Sequence, residues 1–192
     1  MPAPISGLAK PASLLVGFHA GTVPAAQAQP AVSAALALDP RFAPAHIAAG
    51  LLAEQKNDFA GARASYEQAL KANPGFLIAQ RQIVILLADK LAEDAKATEL
   101  AAALRADFAN DAELSGALGK IAYRRADYAE ALRLTRLAAA QPSANPELLF
   151  YLGMAQYHLK DKAAKATLTR AIAERPAAQL AADAKKALVE LK

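Results

Sequence analysis

Five positions recur along this chain at nearly constant spacing, and that spacing limits the fold more than any other feature. Gly17, Gly50, Val84, Gly119 and Gly153 are separated by 33, 34, 35 and 34 residues. Each glycine leads a series of small or apolar positions. Gly50 is followed by Ala62, Tyr66, Ala69 and Pro74, and Gly119 by Ala131, Thr135, Ala138 and Pro142. Gly153 leads Ala164, Leu168, Ala171 and Pro176. Gly17 leads Ala28, Val32, Ala35 and Pro40 at the same intervals as Gly153. The unit between Gly50 and Gly119 is degenerate, with Val84, Leu100, Ala103 and Phe108 at the matching places. A period of this length marks a stacked repeat, in which each unit buries its apolar face on its neighbours.

Composition makes the repeat helical. Alanine supplies more than a quarter of the 192 residues, and Leu, Lys, Arg, Gln and Glu fill much of the rest. These are the best helix formers, and β-branched residues are few. One unit can be read directly. Pro44 to Gln55 carries Ile47, Leu51 and Leu52 on a helical face, with Ala48 and Ala49 between them. Asn57-Asp58 is a turn, and Asp58 is a good N-cap for a second helix, as are Asp127 and Asp161 at the same offset. Glu130 three residues after Asp127 has capping-box spacing. The second helix runs through Ala62, Tyr66, Ala69 and Leu70 and stops at Asn73-Pro74-Gly75. Gly50 and Ala62 are expected to meet where the two helices cross, because small residues there let the axes approach closely.

This pattern resembles the tetratricopeptide repeat, a helix–turn–helix unit of about 34 residues. Gly50, Ala62, Tyr66, Ala69 and Pro74 match the family's motif positions. Phe59 and Tyr128 match the aromatic that precedes the second helix's alanine, and His46 stands where the family often has a bulky aromatic. The resemblance covers about residues 10–178. It departs from the pattern in the unit 77–111, where Val84 replaces glycine and Lys96 falls where alanine is expected. The fold it implies is an all-α solenoid, a right-handed superhelix of stacked helix–turn–helix units with a C-terminal capping helix. The expected division is a tail (1–9), a degenerate first repeat (10–42), repeats at 43–76, 77–111, 112–145 and 146–178, and the cap (179–192). In the cap, Leu180, Ala184, Leu188 and Leu191 share one face, suited to closing the end of the stack.

The amino end has two readings. Residues 12–23 followed by Ala26-Gln27-Ala28 have the outline of a secretory signal ending at 28. Gly17 and His19 interrupt that stretch, and the Gly17–Pro40 spacing repeats Gly153–Pro176. The expected location is the cytoplasm, or the periplasm and beyond if residues 1–28 are a signal. A proline in a helix interior costs about 3 kcal/mol, so the helix holding Pro30 is expected to start near Gln29.

Little in the sequence suggests catalysis. There is no cysteine, no Gly-x-Ser-x-Gly elbow and no phosphate loop. His19, His46 and His158 fall in different units without metal-ligand spacing. No cofactor, no metal and no enzymatic activity are expected. No apolar run approaches the roughly 20 residues of a membrane span. The net charge is +4, but the basic residues are dispersed among acidic ones, unlike the stripe of a nucleic-acid binder.

Function is therefore expected on the concave face, which in this family is lined by the first helix of each repeat and holds an extended peptide or a helix. The matching positions are Ile47, Leu51 and Glu54, then Arg81 and Ile85, then Lys120, Tyr123 and Arg124, and finally Phe150, Met154, Tyr157 and His158. Phe150, Met154 and Tyr157 form one stripe, which serves either an open groove or the core. Arg81, Lys120 and Arg124 suit acidic groups of a partner. The expected function is a non-catalytic protein-interaction module that binds a partner peptide or helix through apolar anchors and acidic residues. Self-association into a structural assembly is the alternative. One subclass of the family grips a terminal carboxylate with Lys and Asn on the first repeat, but the corresponding positions here are Ile47 and Leu51.

Overall fold

The structure, a computed structural model, describes residues 7–104, 110–140 and 146–191, with Pro146 by its backbone only. Phe108 and Pro142, most of the expected N-terminal tail and Lys192 of the cap lie outside the described residues. Among the described residues all regular structure is helical, as the sequence implied, and the chain forms two compact units, 1–86 and 87–192.

The first unit contains α1 (Ala9–His19), α2 (Ala25–Leu38), α3 (Ala43–Gln55), α4 (Phe59–Ala72) and α5 (Leu77–Leu86). α1 packs on α2, α3 on α4, and α4 on α5. One buried cluster joins Leu15 and Phe18 of α1, Ala28, Ala31, Val32 and Ala35 of α2, and Ala45, Ala48 and Leu52 of α3. α2 starts earlier than expected. Pro24 precedes it and Pro30 lies inside it. Pro30 sits on the exposed side, whereas Ala28 in the same turn is fully buried, so packing of that turn outweighs the proline's cost.

The second unit opens with a five-residue π-helical segment, Leu87–Leu91. It continues with α6 (Asp94–Ala102), α7 (Ala112–Arg124), α8 (Tyr128–Ala139), α9 (Pro146–His158), α10 (Ala164–Ala173) and α11 (Ala178–Glu190). α7 and α8 form one hairpin and α9 and α10 another, and α11 packs on both α9 and α10. Leu149, Phe150, Met154, Leu168, Ala171, Ala184 and Ala187 make one buried cluster there.

The hairpin turns share one chemistry. Asn57, Ala126 and Lys160 adopt left-handed φ values of 58°, 59° and 58°. The next residue's N–H then donates back over the turn, from Asp58 to Ala53 O, Asp127 to Ala122 O and Asp161 to Gln156 O, each at 2.9 Å. This geometry satisfies helix-end carbonyls that would otherwise lack donors. Asp58, Asp111 and Asp127 then cap the following helices, accepting from Gly61, Leu114 and Glu130 N–H at 2.9, 2.8 and 3.1 Å. Glu130 uses its side chain to hold Arg133.

In the degenerate unit the register differs from the sequence expectation by one residue. Ala92 takes the left-handed turn position at φ 53°, and Glu93 N–H reaches back to Leu87 O at 3.0 Å, one residue further than in the other turns. A π-helical turn accommodates a single inserted residue. The 35-residue interval and the π segment are thus one feature. Beyond it the buried positions are Ala97, Ala101 and Leu104, at 0, 1 and 0 % exposure, not Leu100 and Ala103. Lys96 therefore does not replace the conserved-looking alanine place of the pattern. Ala97 fills it, one residue later.

The residue nearest each of three glycine anchors lies one turn beyond the alanine singled out from the sequence. A Cβ on Gly50 would lie 2.2 Å from Tyr66 Cε1, one on Gly119 2.7 Å from Thr135 Cγ2, and one on Gly153 2.7 Å from Leu168 Cδ2. The crossing contact thus includes Tyr66, Thr135 and Leu168, a turn beyond Ala62, Ala131 and Ala164. Those three alanines are fully buried all the same. Gly17 meets Val23 and Thr22 in its own connection. No helix among the described residues is long and apolar enough to cross a membrane.

Candidate functional site

In the first unit, the positions expected to face a partner are divided. Ile47 and Ile85 are buried and Leu51 is half-buried. Glu54 accepts a 2.5 Å hydrogen bond from the Tyr66 hydroxyl, so the ring that fills the space beside Gly50 also fixes this carboxylate. Arg81 donates from Nη1 to Gln82 Oε1 at 2.8 Å. His46 packs in the α2–α3 corner with Nε2 2.9 Å from Pro40 O.

In the second unit, the expected positions on α7 and α9 converge with α11. Lys120 is 5 % exposed, and its Nζ lies 3.2 Å from Asp89 Oδ2 and 3.5 Å from Glu147 Oε2. Arg124 is held by three hydrogen bonds to two residues. Its Nε donates to Asp94 Oδ2 at 2.8 Å, and its Nη2 to Asp94 Oδ1 at 2.5 Å and to Ala88 O at 2.9 Å. The hydrogen bond it donates to Asp94 holds the guanidinium more firmly protonated, against the opposing effect of burial. Lys120 and Arg124, two of the three cations singled out from the sequence, thus have carboxylate partners within this chain.

The aromatic stripe lies under α11. Phe150 and Met154 are 3 and 8 % exposed, packed in the cluster that includes Ala184 and Ala187 of α11. The C-terminal helix packs against these two side chains, which also border the cleft between α7, α9 and α11. Tyr157 stays half-buried and donates its hydroxyl to Glu190 Oε2 of α11. That bond to a carboxylate raises the phenol's pKa. His158 is exposed and stacks on Tyr128 with centroids 3.9 Å apart and planes 8° from parallel.

Between α7, α9 and α11 a cleft of about 370 Å³ remains. Tyr123 stands at its centre, 5.3 Å from the Tyr151 ring and 6.4 Å from Phe150, both edge to face. Burial pushes the Tyr123 phenol up to about 12, with smaller upward contributions from Tyr128, Tyr151 and Asp183. The far wall comes from α11, through Leu180, Asp183, Lys186 and Glu190. Sequence reasoning missed Tyr151 and this wall. The signal was present in the seven-residue interval between Asp183 and Glu190, which puts both carboxylates on one side of a helix. Among the described residues no cluster of His, Asp and Glu is arranged to hold a metal ion.

Residues 43–76 match the sequence profile of the tetratricopeptide repeat. No curated protein matches the chain in sequence. Several solved structures share its fold. YrrB, described as a tetratricopeptide-repeat protein with an unusual peptide-binding site, is 22% identical over 95% of this chain and 92% of its own, with a TM-score of 0.65. PilW, a widely conserved type IV pilus biogenesis factor, is 18% identical over 95% and 86%, with a TM-score of 0.71. MamA from Desulfovibrio magneticus, from residue 41 to its end, is 16% identical over 88% and 96%, with a TM-score of 0.66. At these identities the likeness is one of fold.

Proposed function

We propose that the chain is a tetratricopeptide-repeat protein acting as a non-catalytic interaction module, whose second unit receives a peptide or helix of a partner protein in the cleft between α7, α9 and α11. The observation that carries this reading is the cleft itself. It is a concavity walled by tyrosines, Phe150 and Met154 on the inner helices, in a chain without a catalytic constellation in its sequence. Aromatic residues, methionine and arginine are what interface cores favour. Rigid rings supply contact area with little conformational entropy to lose. The peptide-binding site of YrrB supports the reading by showing that a protein of this fold can act so.

The cations modify the expectation drawn from sequence. An acidic group of a partner would compete with Asp89 and Glu147 for Lys120, and with Asp94 for Arg124. The apolar anchors are therefore the better-supported half of the partner's description. The test compares partner binding to the wild-type chain with binding to Tyr123→Leu and Tyr157→Leu, which keep bulk but remove the phenols. Arg133→Ala on the exposed face of α8 serves as control. Binding should weaken at least tenfold in the first two and stay unchanged in the control. Equal affinity in all four proteins, with circular dichroism unaltered, excludes this cleft.

A further inference from the structure

We propose that the cleft selects a basic side chain, a lysine or arginine of the partner peptide, whose aliphatic stem lies along Met154 and Leu180 and whose cationic end sits among Tyr123, Tyr157 and Glu190. This rests on the reading of the cleft as the partner site and adds the chemistry it recognises.

The charge balance of the lining carries the inference. Two cations and two carboxylates line the cleft. Arg124 is neutralised by Asp94 through two hydrogen bonds, and Asp94 lies outside the lining. Lys186 is highly exposed and stands 3.6 Å from Asp183, its own neighbour one helical turn away. Glu190 has no cation among the described residues. Its contact is the neutral phenol of Tyr157. The cleft thus keeps one uncompensated carboxylate beside several aromatic faces. Ring quadrupoles present negative potential to a cation, and a carboxylate close by adds to it.

The other ligand chemistries fit less well. An acidic side chain would meet Glu190 and Asp183, with Arg124 already paired to Asp94 and Lys186 to Asp183. A purely apolar one would desolvate Glu190 without replacing its water, and burying a charge unpaired is costly. A lysine or arginine answers both demands, because its stem is apolar and its head is charged.

The experiment uses the full chain and a display library of random peptides as probe. Selected peptides are resynthesised with each basic residue replaced by norleucine and by glutamate. We expect one basic position whose norleucine version binds at least tenfold more weakly and whose glutamate version binds more weakly still. In Glu190→Gln, and in Glu190→Gln combined with Asp183→Asn, the lysine and norleucine versions should bind within about twofold of each other. Peptides that lose affinity in Tyr123→Leu but show no preference for lysine over norleucine, or that prefer glutamate, overturn this inference and leave the proposed function standing. Peptides insensitive to Tyr123→Leu and Tyr157→Leu, or a failure to select any, overturn both.

Discussion

The ring of Tyr66 occupies the space where a side chain on Gly50 would begin. An ideal Cβ there would lie 2.2 Å from Cε1 and 2.6 Å from Cδ1. Tyr66 has no room to yield, because it is fully buried and its hydroxyl is tied to Glu54. Gly50→Ala gains up to about 1 kcal/mol of helix propensity. The overlap costs more, about 1–3 kcal/mol, since close-packed interiors tolerate little added volume. A lower urea midpoint with an unchanged slope is the expected result. A midpoint at or above that of the wild type would mean that α3 and α4 do not cross at this contact.

The spacing of the anchors made the hairpins legible, because a residue too small to hold two helices apart is selected by geometry that recurs. What the spacing could not fix was which residue each anchor meets. Ala62 and Tyr66 lie one turn apart on the same face of α4, and both are fully buried. The 35-residue interval revealed an insertion but not its place. Lys96 looked like a substitution because the extra residue is absorbed upstream, in the π turn at Leu87–Leu91. The Phe150 and Met154 stripe was ambiguous for a different reason. An apolar residue facing a partner and one facing a capping helix of the same chain leave the same periodicity. Lys120 and Arg124 read as free cations because their carboxylates, Asp89, Glu147 and Asp94, stand 27 to 31 residues away, and no local pattern records such pairs.

Ala126 holds a left-handed conformation at φ 59° that an L-residue with a Cβ adopts at a cost. The same place is taken by Asn57, which tolerates it better. Ala126→Gly should stabilise the chain by about 0.5–1 kcal/mol, the relief of strain exceeding the greater entropy of glycine when unfolded. A rise in the thermal midpoint checks this, and a fall would contradict the turn geometry.

Lys120 bridges Asp89 and Glu147 from a buried position, while the two carboxylates remain 24 and 46 % exposed. Lys120→Met keeps the stem and removes the charge, leaving two carboxylates facing one another. Because water still reaches both, the loss should be about 1–2 kcal/mol, between the values for exposed and fully buried pairs. A double-mutant cycle isolates the interaction. Asp89→Asn should cost less in the Lys120→Met background than alone. Strict additivity would show that the pair contributes nothing.

Tyr123 gives the alkaline limb of stability a definite origin. Its pKa is raised from 10.0 to about 12, chiefly because burial among the rings disfavours the phenolate. Below pH 10 the phenol is protonated in the folded and unfolded chains alike, so it adds no pH dependence. Between pH 10 and about 12 the unfolded chain releases this proton and the folded chain retains it. The unfolded state binds fewer protons there, so stability falls as pH rises. Tyr157 is shifted in the same direction by Glu190, and lysines titrate in the same interval, so the measurement is a difference between variants. Urea unfolding of the wild type and of Tyr123→Phe across that interval should give a shallower decline for the variant, by up to one proton's worth of slope. Parallel declines would place Tyr123 in water rather than at the centre of the cleft.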